Sequence, residues 1–304
     1  MRAIYSMLRV PNLLIIAITF FILRYLVFIP VYAGYHIIAG MDSLHYSLMV
    51  IITLIIATAG YISNDYFDVE TDRINKPQKL YIGKRITPGS VFSVAFILSI
   101  AAAVGAIWLS IDTKSWLPAT LLLTALIVTW WYAVSLKRTF LWGNIAVSCM
   151  TAGTIAMAWA VEKNTSAIDP QASILITSVV TAISIFAFLL SLQREIVKDM
   201  EDMEGDKLIR CKSLPLVKGV AFTKRILLVL TGFTIVLLIV AQIYMFEYEK
   251  IGAILWIVIA VEMPLVYFAF KLIKSETKTD FHHMSNLLKW IMVGGILTIV
   301  AAQF

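Results

Sequence analysis

Long apolar runs alternate with short polar stretches along the whole chain. A bilayer core needs about 20 mostly apolar residues for each helical span. On that criterion the pattern predicts nine transmembrane helices, near residues 12–33, 43–63, 89–111, 116–136, 141–161, 171–193, 226–246, 251–273 and 286–303. The polar stretches are too short to form a separate folded unit, and no Pro-, Gly- or Ser-rich linker divides them. The expected fold class is therefore all-α: a polytopic membrane bundle, with residues 1–304 as a single domain. Arg2 and Arg9 precede the first run. That run is longer than a signal-peptide core and no small-residue cleavage site follows it cleanly, so it reads as a retained span.

Composition strengthens this picture. The chain is 60% hydrophobic and 14% charged, whereas a soluble globular domain is roughly 45–50% apolar and about 25% charged. The net charge of +6 invites a nucleic-acid reading, but the basic residues lie between apolar runs rather than in one domain, so no nucleic-acid partner is expected. With nine spans, 21 Lys and Arg fall on the side of the N-terminus and of the loops after spans two, four, six and eight. Only Lys114, Lys163 and Lys250 fall on the other side. Positive charge marks the cytoplasmic face, so the N-terminus is expected in the cytoplasm and the C-terminus outside. Arg24 lies within span one near its outer end, a position from which it can snorkel. Cys149 and Cys211 make no disulfide framework.

The candidate chemistry sits at the cytoplasmic ends of spans two and six. Asp65, Asp68 and Asp72 are spaced i, i+3, i+7. On a helix they share roughly a 60° arc. The spacing recurs in Asp199, Asp202 and Asp206. Like charges on one stripe repel, so two such stripes in an apolar chain call for a cation between them. Carboxylates with an amide nearby, Asn64, suit a hard ion such as Mg²⁺. Mg²⁺ uses few carboxylates and completes its shell with water and phosphate oxygens. Lys76 and Lys79 follow the first stripe, while Arg194, Lys198, Lys207, Arg210 and Lys212 surround the second. Mixed acid and base at a membrane surface suits a metal-bridged diphosphate.

These residues resemble the UbiA-type intramembrane prenyltransferases. Asn64-Asp65-x-x-Asp68-x-x-x-Asp72 matches that family's NDxxDxxxD motif, and Asp202-x-x-x-Asp206 its DxxxD motif, with Asp199 one turn earlier. Arg9 and Asn12 resemble its Arg-x-x-Asn opening to span one, and Tyr132, Lys137, Gly143 and Asn144 its stretch between spans four and five. Asn75-x-Pro77 matches as well, but Lys79-Leu80 stands where many members have Arg-Pro. Lys lacks the bidentate fork of Arg. The run Arg194–Asp206 is most like the digeranylgeranylglyceryl phosphate synthase branch, and related runs occur among homogentisate and chlorophyll prenyltransferases.

The resemblance implies a nine-helix bundle that transfers a prenyl group from an allylic polyprenyl diphosphate, geranylgeranyl diphosphate in that branch, to a lipophilic acceptor. Geranylgeranylglyceryl phosphate is the first acceptor choice and an aromatic ring of quinone biosynthesis the alternative. Asn64, Asp65, Asp68, Asp72, Asp199, Asp202 and Asp206 are expected to hold Mg²⁺. Asp65, Asp68, Lys137, Lys198 and Asp199 are the candidate catalytic groups. Arg9, Asn12, Tyr66, Lys79, Tyr132, Lys137, Asn144, Arg194, Lys198, Lys207, Arg210 and Lys212 are candidate substrate contacts, the last three for an acceptor phosphate. Two rival classes fit less well: a CDP-alcohol phosphotransferase, whose single acidic motif with Asp-Gly and Ala-Arg is missing here, and an ion-coupled transporter, which would place acidic residues at mid-membrane.

Overall fold

A computed structural model describes residues 7–37, 41–164 and 169–303 of the chain. Among them nine helices are long and apolar enough to cross a membrane. They are α1 (Val10–Gly34), α2 (Ser43–Phe67), α4 (Pro88–Asp112), α5 (Leu117–Val134), α6 (Trp142–Asn164), α7 (Pro170–Glu201), α10 (Val220–Glu247), α11 (Ile251–Lys274) and α12 (Lys278–Ala301). Three short helices, α3 (Val69–Asn75), α8 (Met203–Leu208) and α9 (Leu214–Lys218), lie between spans. The all-helical bundle expected from the hydropathy pattern is thus what the chain adopts, and its backbone polar groups are satisfied within helices, as a bilayer requires.

The span starts are written locally. The Asp42 carboxylate accepts from the Leu44 and His45 N–H groups at the head of α2. Thr87 caps α4 ahead of Pro88, and Asp169 caps α7 ahead of Pro170. Thr277 and Asp280 form a reciprocal capping box on α12. Small residues then let the helices approach closely. A Cβ on Gly60 of α2 would stand 2.3 Å from the Thr129 methyl of α5. One on Gly294 of α12 would stand 2.8 Å from the Ala260 carbonyl of α11.

Two spans contain π-helical turns, Leu23–Phe28 in α1 and Val258–Glu262 in α11, each just before a proline, Pro30 or Pro264. Proline has no N–H to offer the carbonyl four residues back. At Leu26 the Gln303 amide donates instead, at 3.2 Å.

Several features depart from the expectations, among them the start of α12, which lies at Lys278 and not near 286. The Arg24 side chain does not snorkel: it is 4% exposed and donates to Glu162 of α6 at 3.3 Å and to the Met41 carbonyl at 2.7 Å, with its guanidinium over the Tyr46 ring. A charge buried at membrane depth is tolerable when paired, and pairing across the bundle keeps it inside. α7 also runs on to Glu201, past the predicted end at 193. The polar residues there face the interior: Gln193 is fully buried and bonds to Thr231 and Thr234 of α10. Hydropathy falls along this segment, but the helix does not end.

Candidate active site

Both acidic segments are built in the same way. α2 ends at Asp68 (φ −96°, ψ 5°), where the chain bends into α3, and α7 ends at Asp202 (φ −97°, ψ 6°), where it bends into α8. The triplets therefore do not lie on straight helices as the spacing suggests. The first carboxylate of each sits in the last turn of a span, the second at the bend and the third in a short helix. Asp competes poorly for helix interiors and well for helix junctions, which accounts for the break at the middle residue.

α3 and α8 are joined by Asn75, which is 8% exposed. Its amide donates to the Asp202 carbonyl at 2.9 Å, and its oxygen accepts the Gly205 N–H at 3.0 Å. A Cβ on Gly205 would fall 2.5 Å from the Asn75 nitrogen, so glycine is required for the two segments to touch. Lys278 of α12 donates to the Asn75 carbonyl at 3.0 Å.

Basic side chains and amides reach into the acidic cluster from several elements. Arg9 donates to Asp65 at 2.7 Å and lies over the Tyr61 ring. Lys137 donates to Asp68 at 2.6 Å, and Asn64 donates to the other Asp68 oxygen at 2.6 Å. Lys137 is held in the turn Leu136–Arg138 because Gly143 has no Cβ: one would lie 2.9 Å from the Leu136 carbonyl oxygen and from Lys137 Cα. Lys76 sits between the two triplets, 3.8 Å from Asp72 and 3.3 Å from Asp202. Asn144 donates to Asp199 at 2.9 Å. All six aspartates line one cavity of about 1910 Å³ that continues among apolar side chains, including Ile16, Val128, Phe186, Leu238 and Ile296, toward the opposite face. This is about twice the upper end of ordinary small-molecule pockets, ~1,000 Å³.

Burial and like charge raise carboxyl pKa values. Asp72 is pushed up to about 6, by burial and by Asp68, Asp65 and Asp202 against the opposing pull of Lys76. Asp206 is pushed up to about 7, by burial and by Asp202 and Asp68. For Lys76 burial favours the neutral amine, but Asp202 and Asp72 outweigh it and hold the ammonium above the ordinary lysine range.

The donor set fits a hard divalent cation. Every candidate ligand offers oxygen. Three cations, Arg9, Lys76 and Lys137, pair with Asp65, Asp68, Asp72 and Asp202 and leave Asp199 and Asp206 without an ion pair among the described residues, a negative excess. The Asp202 Oδ1 atom is buried and has no hydrogen-bond partner. Among the described residues no three His, Cys, Asp or Glu side chains converge tightly enough to hold an ion alone. A cation here needs oxygens from another molecule as well, the ordinary habit of Mg²⁺ beside a polyphosphate.

The structure sorts the other expected residues. Arg9, Asn12, Asn64, Tyr132, Lys137, Arg194 and Lys198 line the cavity. Asn144 joins the site through Asp199. Arg194 and Lys198 pair with Glu195, not with an aspartate. Tyr66 is a correction: it packs against Phe67 and Phe92 on the side facing α4 and does not line the cavity. Its position next to Asp65 puts it on the helix face turned away. Lys207, Arg210 and Lys212 are exposed and also lie outside the cavity, because α8 turns back over α3 and its last turn points outward. Lys79 closes the turn Pro77–Lys79, and its side chain lies outside the described residues. Lys76, expected beside the first stripe, lines the cavity, as do Tyr61, Glu195 and Lys289, which nothing in the sequence singles out. Lys289 counts in the sequence only toward the charge asymmetry of the loops, and Tyr61 and Glu195 carry no motif signal of their own.

Comparison with known proteins supports the same reading. The model of the UbiA prenyltransferase family matches residues 27–293. A digeranylgeranylglyceryl phosphate synthase of Methanobrevibacter smithii is 29% identical over 244 residues, 80% of this chain and 81% of that protein. The synthase of Saccharolobus solfataricus is 31% identical over 256 residues, 83% of each. A solved structure of a digeranylgeranylglyceryl phosphate synthase in membranes superposes with a TM-score of 0.67 at 24% identity, covering 99% of this chain and 98% of that one. A UbiA homologue of Archaeoglobus fulgidus bound to GPP and Mg²⁺ superposes with a TM-score of 0.59 at 16% identity, over 98% and 99% of the two chains.

Proposed function

The chain belongs to the UbiA prenyltransferase family, and on that premise we propose that it transfers a geranylgeranyl group from geranylgeranyl diphosphate to the free hydroxyl of geranylgeranylglyceryl phosphate, with release of diphosphate. The observation that carries this reading is the placement of both acidic segments at one end of a cavity large enough for two long apolar chains. The curated relatives reported above, named for that synthase, support the choice of acceptor. Membership in an enzyme family removes the transporter alternative.

Asn64, Asp65, Asp68 and Asp72 on one side and Asp199, Asp202 and Asp206 on the other would hold Mg²⁺, which when bound stabilises negative charge on a phosphate leaving group. Lys137, Lys76 and Arg9 reach the same place and neutralise diphosphate oxygens directly. The allylic C–O bond breaks with both electrons leaving on the diphosphate. The Tyr132 ring faces the cavity near Asp68 and Asp199, where an aromatic face stabilises a developing cation. Apolar walls keep water from the allylic centre. The acceptor hydroxyl oxygen forms the new C–O bond, and its proton passes to the released diphosphate. The basic loops, and with them the aspartates, face the cytoplasm.

The test is to incubate membranes holding the protein with labelled geranylgeranyl diphosphate, Mg²⁺ and a panel of acceptors, then identify the lipid product by mass. The expected product is the digeranylgeranylglyceryl phosphate. A prenylated aromatic ring in its place overturns the acceptor, and no transfer to any acceptor overturns the reading.

A further inference from the structure

Beside the aspartates the cavity holds a second charged group of opposite sign. Arg194 and Lys198 on α7 and Lys289 on α12 all line it. One carboxylate, Glu195, serves the first two: it accepts from Arg194 at 2.9 Å and from Lys198 at 3.1 and 3.0 Å. Lys289 has no carboxylate partner among the described residues. It donates to the Asn12 side-chain oxygen at 2.6 Å and lies within electrostatic reach of Arg194 and Lys198. The Arg194 Nε–H is buried and unpaired. The cations nearer the aspartates are matched differently, Arg9 to Asp65, Lys76 to Asp202 and Lys137 to Asp68. The positive excess is therefore confined to one corner, between α1, α7 and α12.

We propose that Arg194, Lys198 and Lys289 form a second anion subsite that takes the phosphomonoester headgroup of the acceptor lipid, separate from the aspartates that take the donor diphosphate. The proposal rests on the reaction proposed above and adds where its acceptor binds. Three cations against one carboxylate leave a surplus that a phosphomonoester neutralises. The walls beyond the cluster change character: Met292, Ile296 and Ile299 on α12 and Ile15 and Ile16 on α1 line the cavity. An amphipathic ligand with one charged head and one long apolar tail fits that gradient. Contacts run from Lys289 to Asn12, from Asn12 to Tyr61, from Tyr61 to Arg9 and from Arg9 to Asp65. The headgroup is thereby seated beside the reacting end and not on it. Lys207, Arg210 and Lys212, the sequence-based choice for this role, lie outside the cavity.

The test uses the full-length protein purified in detergent. Binding of a long-chain alkylglyceryl phosphate and of the matching uncharged alkylglycerol is measured without donor, for wild type, Lys289→Gln, Lys289→Arg and Arg194→Gln. Wild type is expected to prefer the phosphate by about tenfold or more, the scale of a charge-assisted contact. Lys289→Gln loses most of that preference and Lys289→Arg keeps most of it. No preference in wild type, or one unchanged by both Lys289→Gln and Arg194→Gln, overturns the proposal. Inorganic phosphate that displaces the lipid at equal concentration overturns the lipid assignment. Turnover with geranylgeranyl diphosphate and Mg²⁺ supplies a second readout: Lys289→Gln raises KM for the acceptor by about tenfold and leaves KM for the diphosphate unchanged. The reverse split assigns the cluster to the donor and overturns the proposal. If wild type binds the phosphate lipid through Lys289 yet transfers nothing to any prenylglyceryl phosphate, the subsite stands and the assigned acceptor fails.

Discussion

Asp202 carries the most exacting expectation at the scale of single residues. One of its oxygens meets Lys76 and the other is buried without a partner. Asp68 is its counterpart at the other bend, shared by Lys137 and Asn64. Asp68→Ala and Asp202→Ala should each lower turnover by about 100-fold or more, as loss of a group that stabilises leaving-group charge does. Each variant should keep its elution profile and metal-free melting temperature in detergent. Near-normal turnover in either removes that residue from the site. Asp72 and Asp206 set the pH dependence. Their pKa values of about 6 and about 7 lie above the ordinary 3.8, so the folded protein favours their protonated forms. Their contribution to stability is complete below that ordinary value and is lost as pH rises through 6 and 7. In chelator the melting temperature should fall across that window, and Mg²⁺ affinity should rise across it as the ion displaces protons. A flat melting profile from pH 5 to 8 (roughly the range of maximal stability) contradicts the burial of these carboxyls.

At the scale of elements, the two acidic segments act together only because α3 and α8 touch. Gly205→Ala would force a methyl group against Asn75, and Asn75→Ala would leave the Gly205 N–H without its partner. Each should cost about 1–3 kcal/mol of stability and raise the Mg²⁺ concentration needed for half-maximal turnover. A Mg²⁺ titration of both variants checks this, and an unchanged requirement shows that the joint is not needed for the site. Little of the joint was legible in the sequence. The aspartate spacing revealed two paired sites but assumed straight helices, and the bends at Asp68 and Asp202 become visible only when the backbone is known. Nearness in sequence to the acidic stripes placed Tyr66 among the substrate contacts and Lys207, Arg210 and Lys212 near a phosphate, and nearness in sequence does not say which way a side chain turns. Asn75 and Gly143 matched a pattern without revealing why. Their work is done through contacts with Gly205 and Leu136, residues with no chemical signature.

For the whole molecule, apolar run length was enough to find every span, since a bilayer imposes the same requirement on each. It misplaced helix ends where polar residues continue a helix, facing inward along α7 from Gln193 onward and partly exposed at the start of α12, which begins at Lys278 behind its capping box. The expected orientation can be checked by cysteine labelling in a background with Cys149 and Cys211 replaced. A membrane-impermeant maleimide should reach Lys114→Cys from outside intact cells and Lys84→Cys only after the membrane is opened; the opposite pattern inverts the topology. The Arg24–Glu162 pair has a consequence for how the protein is made. The partners are 138 residues apart, so the ribosome delivers span one, with its arginine, well before the glutamate of span five exists. An isolated charge at that depth is unfavourable by several kcal/mol. The newborn first helix therefore has reason to linger at the bilayer edge or inside the insertion machinery, and to settle only once Glu162 is synthesised. Chains halted before span five should be clipped by protease near their first helix, whereas chains halted after it should be protected.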